Sequence, residues 1–415
     1  MQTYLKPKPK TTDESMTTFI QPPTKTPAAT NPEIELLLCC ARTHITTETA
    51  ESIKTLVQQN INWNYLIETA SRHGVIPLLY QSLNTTCSDR VTDNIAQLKN
   101  FFHSNAVRNL FLTQELLKLL ELFQEHEIPA IPFKGPVLAA TAYGNLALRQ
   151  FGDLDILVHE HDVLKVKNLL VSRGYSSWSV KEADEIRHLQ TEGEHLFNRK
   201  DCMVAVDLHW RLTRRHLCFP LDSQSLWERL EPLSLTGIVV PNLNFEDLLL
   251  FLCVHGTHHG WERLGWICDI AQLVTLYQES DWNSVLSKSR TLGSERILLL
   301  GLFLAHDLLG TALPSAISQR VLADPMVTSL AKQVREGLFC ETVNSSSISG
   351  NSFFYIQARE RIQDRVKYFL LSTVPNARDW SFLQLPRSLS FLYYLIRPIR
   401  LVSKYGKRLL GQTKS

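Results

Sequence analysis

The sequence lacks long apolar segments, paired cysteine motifs and a strong net charge. It has no run of the ~18 apolar residues that a membrane-spanning helix needs. None of its 8 cysteines belongs to a Cys-x-x-Cys pair, so a thiol-redox or zinc-ribbon motif is not indicated, and reduced core thiols in a cytoplasmic protein are predicted. A net charge of +2, from 43 basic and 41 acidic residues, does not indicate a nucleic-acid-binding protein.

The 415 residues have the composition of a soluble globular protein, with 44% hydrophobic and 20% charged residues, and suggest about two or three packed units. Residues 1–31 are rich in Thr, Pro and Lys without an apolar segment, so we expect a disordered leader and not a signal peptide. The expected units are an N-terminal helical region (32–126), a core of strands and helices (127–240), a C-terminal helical domain (241–385) and a basic amphipathic tail (386–415).

Apolar residues recur at helical spacing through the N-terminal region, and Gly74 interrupts the pattern. The predicted helices cover Ile34–Cys40, Ile53–Val57, Trp63–Ala70, Ile76–Leu83 and Val91–His126. The predicted buried stripe of the last helix consists of Ala106, Leu110, Leu117, Leu120 and Phe123. His73 and His103 have no partners at ligand spacing, so they are expected to be surface or core histidines.

Residues 128–158 contain the most informative local pattern, which is a strand, a turn at Lys134-Gly135-Pro136, a short helix and a second strand. Gly135 permits a tight strand-to-helix turn, and Pro136 suits the first position of a helix. The unpaired amide groups at the start of that helix favour a bound phosphate. Lys134 is therefore a candidate phosphate ligand, and a structural residue at the strand end is the alternative.

The second strand carries Asp153 and Asp155 just before an apolar run. Side chains at i and i+2 share one face of a strand, so both carboxylates are expected to point the same way. Adjacent carboxylates repel each other unless a cation lies between them. Mg²⁺ is the expected cation because it prefers oxygen ligands and shares them with phosphates. An Asp-x-Asp triplet alone is a weak signal, but its order after the turn and the helix is more specific.

This succession of turn, helix and Asp-x-Asp strand resembles the nucleotidyltransferase fold of the DNA polymerase beta superfamily. More narrowly, the chain is similar to a bacterial group known as nucleotidyltransferase family proteins, which carries Lys-Gly near the turn and Arg-x-x-x-Asp-h-Asp-h-h-Val, where h is apolar. The matching residues are Lys134, Gly135, Arg149, Asp153, Asp155 and Val158. The resemblance implies an α+β fold with a small mixed-sheet, polymerase beta-like core, flanked by N-terminal and C-terminal helical regions.

The resemblance also implies a third acid on a later strand. Asp207 follows four apolar residues and matches this position, and an edge-strand acid that faces solvent is the alternative. His209 lies at i+2 from Asp207, so it either contacts the substrate or is a cross-strand hydrogen-bonding partner. The implied catalytic and metal-binding residues are Asp153, Asp155 and Asp207, and the implied phosphate-binding residues are Lys134, Gly135 and Arg149.

The implied reaction is the Mg²⁺-dependent transfer of a nucleoside monophosphate from an NTP to an acceptor, with release of pyrophosphate. Two Mg²⁺ ions held by the three acids would clamp the triphosphate, and Asp207 would help to deprotonate the acceptor hydroxyl. The group implies a small-molecule or peptide acceptor. Two alternatives remain, which are kinase-type phosphoryl transfer to a peptide or small molecule on the same fold, and a non-catalytic nucleotide-binding protein.

The other elements of the core follow from apolar periodicity and turn residues. They are a helix over 162–173 that ends at Gly174, a strand over 175–180, a polar loop over 181–194, and a hairpin of 195–198 with 203–210.

From Asn244 onward the chain is predicted to be helical again, with a histidine-rich segment. His255 and His259 are at i and i+4 on one helix face, and Asp269 could add a third zinc ligand. No Glu lies between the histidines as in His-Glu-x-x-His, so a metalloprotease is not indicated. The resemblance implies that residues of this kind face the cleft. We expect these three residues to line the cleft or form structural hydrogen bonds, and a metal phosphohydrolase that also uses His258 is a further alternative.

The C-terminal part is predicted to contain a core helix over 295–311, a Ser-rich loop over 342–352 and a helix over 353–373. The last 30 residues carry seven basic residues and no acidic one, interleaved with apolar residues. This tail could make weak contact with an anionic membrane surface. A tail helix that packs on the body with its charges solvated is the alternative that we favour.

Overall fold

The computed structural model describes residues 31–87, 93–177, 192–221, 223–340 and 347–374, together with a few positions between 379 and 397. The predicted leader before Asn31, most of the predicted polar loop and most of the tail lie outside the described residues. Within the described ranges, no helix combines the length and the apolar character needed to cross a membrane.

Five helices form the N-terminal region, as predicted. They are α1 (Pro32–Cys40), α2 (Thr47–Val57), α3 (Trp63–Arg72), α4 (Ile76–Thr86) and α5 (Asp93–Glu125). The side-chain oxygens of Asn31, Thr46 and Asn62 accept backbone N–H groups in the first turns of α1, α2 and α3, so local capping sets where these helices begin. Gly74, with a φ of +71°, separates α3 from α4.

The predicted buried stripe of α5 is confirmed near its end, where Phe123 is buried and Leu117 and Leu120 pack partly buried against a hydrophobic core, and it is wrong at Leu110, which is 50% exposed. The fully buried apolar residues of the second half are Leu112, Leu116, Leu119, Leu122 and Phe123. The first half of α5 packs in one hydrophobic core through Ile95 and Leu98, while the second half packs in another. A single stripe cannot describe a helix whose buried face differs between two cores.

A five-stranded mixed sheet forms the central core, with the strand order β1-β2-β5-β4-β3. The strands are β1 (Ala130–Pro132), β2 (Leu154–Val158), β3 (Tyr175–Ser177), β4 (Glu194–Arg199) and β5 (Ala205–His209). Strands β2 and β5 are parallel, and the other neighbouring pairs are antiparallel. This small mixed sheet between helical regions confirms the predicted α+β class and the predicted hairpin.

Two helices of this core, α6 (Gly135–Tyr143) and α7 (Val163–Ser172), follow β1 and β2 in the chain. Alternation along β2 and β5 directs their side chains to opposite faces of the sheet. One face is apolar and fully buried in a core shared with α5 and α7, through Leu154, Ile156, Val206 and Leu208. The other face carries Asp155, Asp207 and His209. The apolar face therefore holds the polar face rigidly in place.

A second, two-stranded hairpin consists of β6 (Glu231–Leu235) and β7 (Ile238–Asn242), and the sequence interpretation did not identify it. Thr236 and Gly237 both have positive φ values, of 51° and 91°. A Gly-containing two-residue turn before the β-branched run Ile238-Val239-Val240 is a hairpin signal, so the sequence did contain the information.

The remaining helices follow the hairpin, apart from α8, which precedes it. They are α8 (Ser223–Glu228), α9 (Phe245–His258), α10 (Leu264–Leu276), α11 (Trp282–Thr291), α12 (Glu295–Leu309), α13 (Ser315–Ala323), α14 (Pro325–Leu338), α15 (Ser347–Ala358) and α16 (Ile362–Ser372). The core helix predicted over 295–311 corresponds to α12.

Two C-terminal predictions are wrong. Helix α15 begins at Ser347, inside the predicted Ser-rich loop, and the single helix predicted over 353–373 is two helices. The break follows from Arg359, which is fully buried and donates to the Asp364 carboxylate and to the Cys218 carbonyl at 2.9 and 2.8 Å. These contacts outweigh the local preference to continue the helix.

The N-terminal and C-terminal helices share one hydrophobic core, which includes Leu36 and Leu79 with Leu249, Leu273 and Leu298. In the tail, Arg397 donates to the Ser372 carbonyl and to the Asp379 carboxylate, both at 2.7 Å. At this position the tail therefore contacts the end of α16.

Candidate active site

The turn between β1 and α6 brings Gly135 against the acid-bearing segment. Gly135 has a φ of +50°, and a Cβ atom at this position would lie 3.2 Å from the carbonyl oxygen of Asp153. Glycine accepts the positive φ and the close approach of the Asp153 carbonyl at low cost because it has no Cβ atom. Pro136 follows in the first turn of α6, as expected. The start of α6 therefore lies beside Asp153.

Asp155 and Asp207 are directly opposite each other on the parallel strands β2 and β5. Asp155 is only 4% exposed, and Asp207 is half-buried. Asp153 is exposed and precedes β2, which begins at Leu154, so the prediction that this strand carries both Asp153 and Asp155 is wrong for Asp153. Strand β5 lies between β2 and β4, so the edge-strand alternative for Asp207 is wrong.

Two basic side chains contact this pair of acids. Lys134 Nζ lies 2.5 Å from Asp155 Oδ1. His209 Nε2 lies 3.4 Å from Asp155 Oδ1 and 3.3 Å from Asp207 Oδ2. The sequence interpretation treated Lys134 as a phosphate ligand or a strand-end residue, and in the folded chain it is also the ion-pair partner of Asp155.

Charge outweighs burial in setting the pKa values of His209, Asp155 and Lys134. Burial opposes the charged form of His209, but Asp207, Asp155 and Glu194 outweigh it and raise the pKa of His209 to about 10. Burial alone would raise the pKa of Asp155, but Lys134 and His209 hold it well below its usual range. The pKa of Lys134 is raised despite burial because Asp155 and Asp153 are close. Desolvation by the surrounding protein and then the charge of Asp155 raise the pKa of Asp153, although its side chain still has access to solvent.

Glu194 and Arg214 extend this network, and sequence reasoning did not identify either residue. His209 Nδ1 lies 3.7 Å from Glu194 Oε2, and Arg214 Nη2 lies 2.5 Å from Glu194 Oε1. Burial opposes ionisation of Glu194, but His209 and Arg214 lower its pKa. Glu194 is the residue of β4 that pairs with His209 of β5, so only the strand register could have revealed it.

Asp155, Asp207 and His209 each offer a ligand atom, and these atoms lie within 4.8 Å of one another. Across the described residues, no other group of three His, Cys, Asp or Glu side chains comes as close. In the same part of the chain, Asp155 Oδ1, although ion-paired, and both ring nitrogens of His209 are buried without a partner in hydrogen-bond geometry. The Asp155 oxygen calls for a further partner, and the carboxylate oxygens of Asp155 and Asp207 suit Mg²⁺. The residues present therefore fit a divalent cation.

The guanidinium group of Arg149 contacts Asp269 on α10. Its Nε and Nη2 donate to the two carboxylate oxygens at 2.8 and 2.9 Å, and the Tyr143 hydroxyl donates to Oδ1 at 2.7 Å. Asn109 of α5 donates to the Arg149 carbonyl at 2.8 Å and so fixes the segment before β2. Asp269 thus forms structural hydrogen bonds, one of its two expected roles, and phosphate binding by Arg149 stays a prediction.

His255 lies on α9, His259 follows directly after the end of this helix, and both rings pack against Trp266. Their ring centroids are 4.7 Å apart, and each is 5.3 Å from Trp266. Burial and the nearby charge of Lys134 lower the pKa of His255 and lower that of His259 to about 4. The ring of His255 lies 6.0 Å from the ring of Phe251, which lies 5.2 Å from the ring of Phe133, the residue before Lys134. A cleft-lining position for the two histidines stays a prediction.

The histidine-rich segment does not assemble a metal site among the described residues. No group that contains His255, His258 or His259 brings three ligand atoms together there. Asp269, the proposed further ligand, already accepts hydrogen bonds from Arg149 and Tyr143. The metal phosphohydrolase alternative therefore finds no support in this part of the fold.

A mixed sheet that opposes two carboxylates beside a glycine turn at a helix start is the arrangement expected of the nucleotidyltransferase class. A family model described as "Uncharacterised nucleotidyltransferase" matches residues 59–310, and the chain belongs to this family. No curated protein matches. Among solved structures, the lincosamide antibiotic adenylyltransferase LnuA with bound lincomycin is 19% identical, with a TM-score of 0.29 over 39% of this chain and 96% of that chain.

Proposed function

We propose that this enzyme transfers a nucleoside monophosphate from an NTP to a small-molecule or peptide acceptor in the cytoplasm, with release of pyrophosphate. The in-register opposition of Asp155 and Asp207 carries the proposal. Two carboxylates on adjacent strands supply the oxygen ligands of the cations that accompany an NTP. The Gly135 turn supports it further because it offers a helix start to the phosphates beside these acids.

Asp153, Asp155 and Asp207 would hold Mg²⁺, with two ions in this proposal. When bound, the ions neutralise the phosphate charges and polarise the α-phosphorus for attack. Lys134 binds the triphosphate from the start of α6, where its ammonium group already faces Asp155. His209 holds the carboxylates of Asp155 and Asp207 in place, and Glu194 orients His209.

Asp207 is the more exposed carboxylate of the pair, so it accepts the proton of the acceptor hydroxyl. The acceptor oxygen then forms a bond to the α-phosphorus. The bond from the α-phosphorus to the oxygen that bridges to the β-phosphorus breaks, and pyrophosphate leaves with that electron pair.

Calorimetric titration with each of the four NTPs, with and without Mg²⁺, tests the proposal. We expect at least one NTP to bind only with Mg²⁺, and Asp155→Asn and Asp207→Asn to weaken this binding by about ten-fold or more. Asp281→Asn is the matched control, since it makes the same change at the exposed N-cap of α11, where Asn also caps well.

Thermal unfolding of the three variants separates lost binding from lost folding. NTP binding that persists undiminished in a folded Asp155→Asn variant would overturn the proposal. Product analysis with α-labelled NTP distinguishes the two chemistries. Nucleotidyl transfer places the α-label on the acceptor and releases unlabelled pyrophosphate, whereas a labelled nucleoside diphosphate would identify the kinase-type alternative.

A further inference from the structure

A cavity of about 560 Å³ lies at the ends of β2 and β5, beyond the acids. Residues that follow these two strands, Leu226 and Trp227 of α8 and side chains of α16 line it. Its volume is in the range of small-molecule sites, which is about 300–1,000 Å³. Nothing in the proposed chemistry so far uses this cavity.

The cavity is adjacent to the acids along β2. Leu157 lines the cavity, lies two residues after Asp155 on the same face, and pairs with His209 across the sheet. Two residues along a strand span about 6.6 Å. The Gly135 turn meets the other end of this segment, at the Asp153 carbonyl. The order along β2 is therefore the turn, the acid pair and then the cavity.

A side-chain network makes a second connection. Arg214 lines the cavity and is ion-paired with Glu194, which in turn faces His209 between the two acids. Only the side chains of Glu194 and His209 therefore separate Arg214 from Asp155 and Asp207. The cavity and the acids belong to one continuous polar network.

The walls of the cavity combine aromatic and apolar surface with basic side chains, of which Arg211 is ion-paired with Glu160 at 2.9 Å and Arg214 with Glu194 at 2.5 Å. The apolar side chains include Trp210, Phe219, Leu226 and Trp227, and the ring of His159 stacks on Trp227 with centroids 4.1 Å apart. The lining contains four basic side chains and two acidic ones. The basic ones are Arg211, Arg214, Arg215 and Lys367, and the acidic ones are Glu160 and Asp364. Such walls suit a planar or apolar body that carries an anionic group.

The geometry points to this cavity as the acceptor site, for a small molecule that combines an aromatic or apolar body with a carboxylate or phosphate group. The inference rests on the proposed nucleotidyl transfer. In that reaction the attacking and leaving oxygens are roughly in line at the α-phosphorus, so acceptor and pyrophosphate lie on opposite sides of it. With the phosphates at the Gly135 turn, the acceptor approaches from the Leu157 end, where the cavity lies.

Binding of 8-anilinonaphthalene-1-sulfonate, an aromatic anion, tests the site in the full-length protein. Thr213→Trp fills the cavity from a half-buried position on its wall. Gln124→Trp is the matched control, because it adds the same side chain at an exposed position of a separate cavity between α5 and the β6–β7 hairpin. We expect Thr213→Trp to weaken probe binding by about ten-fold or more and Gln124→Trp to leave it unchanged.

Mn²⁺ in place of Mg²⁺ tests whether the bound probe is next to the acids. In wild type, bound Mn²⁺ should broaden the proton NMR signals of the bound probe. Asp155→Asn should abolish the broadening while the probe still binds. Probe binding that survives in a folded Thr213→Trp variant, or a bound probe that bound Mn²⁺ does not broaden, overturns the inference.

Electron paramagnetic resonance of free Mn²⁺ distinguishes failure of the acceptor-site inference from failure of the proposed nucleotidyltransferase function. A wild-type protein that leaves all Mn²⁺ free would overturn the metal site, and the acceptor assignment with it. A protein that binds Mn²⁺ but fails either probe test would overturn the acceptor site alone and leave the nucleotidyltransferase proposal intact.

Discussion

Arg149 and Asp269 are 120 residues apart in the chain, and their side chains form a two-pronged ion pair that joins the segment before β2 to α10. The Arg149 side chain is 13% exposed and the Asp269 side chain 2% exposed. Burial would lower the pKa of Arg149, but the Asp269 carboxylate outweighs it and raises that pKa. The pair therefore clamps the strand that carries Asp155 to the C-terminal helices.

Breaking this clamp should destabilise the fold strongly. Arg149→Met or Asp269→Asn leaves a buried group without its partner, and each is expected to lower the free energy of unfolding by about 3–5 kcal/mol. The double variant should lose less than the sum, because neither unpaired group remains. Urea unfolding measures these values. Lys332→Met, in a pair whose side chains are 69% and 65% exposed, should cost about 1 kcal/mol or less, and a similar cost for Arg149→Met would contradict the clamp.

Gly135→Ala should impair nucleotide binding as well as stability. A positive φ costs an alanine about 1–2 kcal/mol, and the new Cβ atom would lie 3.2 Å from the Asp153 carbonyl, so the turn must shift away from the acids. Gly144→Ala is the control, because φ there is +64° but no atom lies within 4 Å of the added Cβ. Both variants should lose unfolding free energy, Gly135→Ala more because of this close contact, and only Gly135→Ala should weaken calorimetric NTP binding. Equal NTP affinities would refute a role for this turn.

Lys134→Met should affect the metal and the nucleotide in opposite directions. Its ammonium group is 2.5 Å from Asp155 Oδ1, so removing it relieves repulsion of a cation bound there and tightens Mn²⁺ binding several-fold. NTP affinity should fall, because a phosphate ligand is lost. Lys288→Met is the control, since Lys288 lies 2.7 Å from buried Asp247 with a similar exposure of 19%. Unchanged NTP affinity in Lys134→Met would favour the purely structural alternative.

His73 should make the fold less stable below pH 6.5. It is 1% exposed, its Nδ1 accepts the Leu264 N–H at 3.2 Å, and burial lowers its pKa from 6.5 to about 4. Between these pH values the unfolded chain binds the proton and the folded chain does not, so the free energy of unfolding falls as the pH falls. At about 1.4 kcal/mol per pH unit, the contribution lost by pH 4 is about 3 kcal/mol.

Comparison with His73→Gln isolates this contribution. The glutamine oxygen can accept the same N–H but does not titrate. The difference in unfolding free energy between wild type and His73→Gln should therefore shrink between pH 6.5 and pH 4, as followed by urea unfolding. A difference that stays constant across this window would show that His73 is not held neutral.

Much of the fold was predictable because its signals are local. The helices α1 to α5 were predictable from apolar residues at helical spacing and from N-cap residues such as Thr46. The Gly135 turn was predictable because glycine readily adopts a positive φ that other residues avoid. The β6–β7 hairpin was missed although its Thr236-Gly237 turn was visible in the sequence. The break at Arg359 was missed for a different reason, since its partner Cys218 lies 141 residues away.

The features of the candidate active site also separate into those that local sequence determines and those that depend on distant contacts. The sequence by itself determined which residues are chemically suited to the site, including Asp155 on a strand that follows the Gly135 turn and a helix, because these features depend on neighbours in the chain. Only the tertiary structure decided that Asp155 faces Asp207, that His209 lies between them and that Glu194 faces His209, because strand register sets those distances. The placement of Arg149 on Asp269 was likewise decided by how α10 packs, which no local pattern encodes.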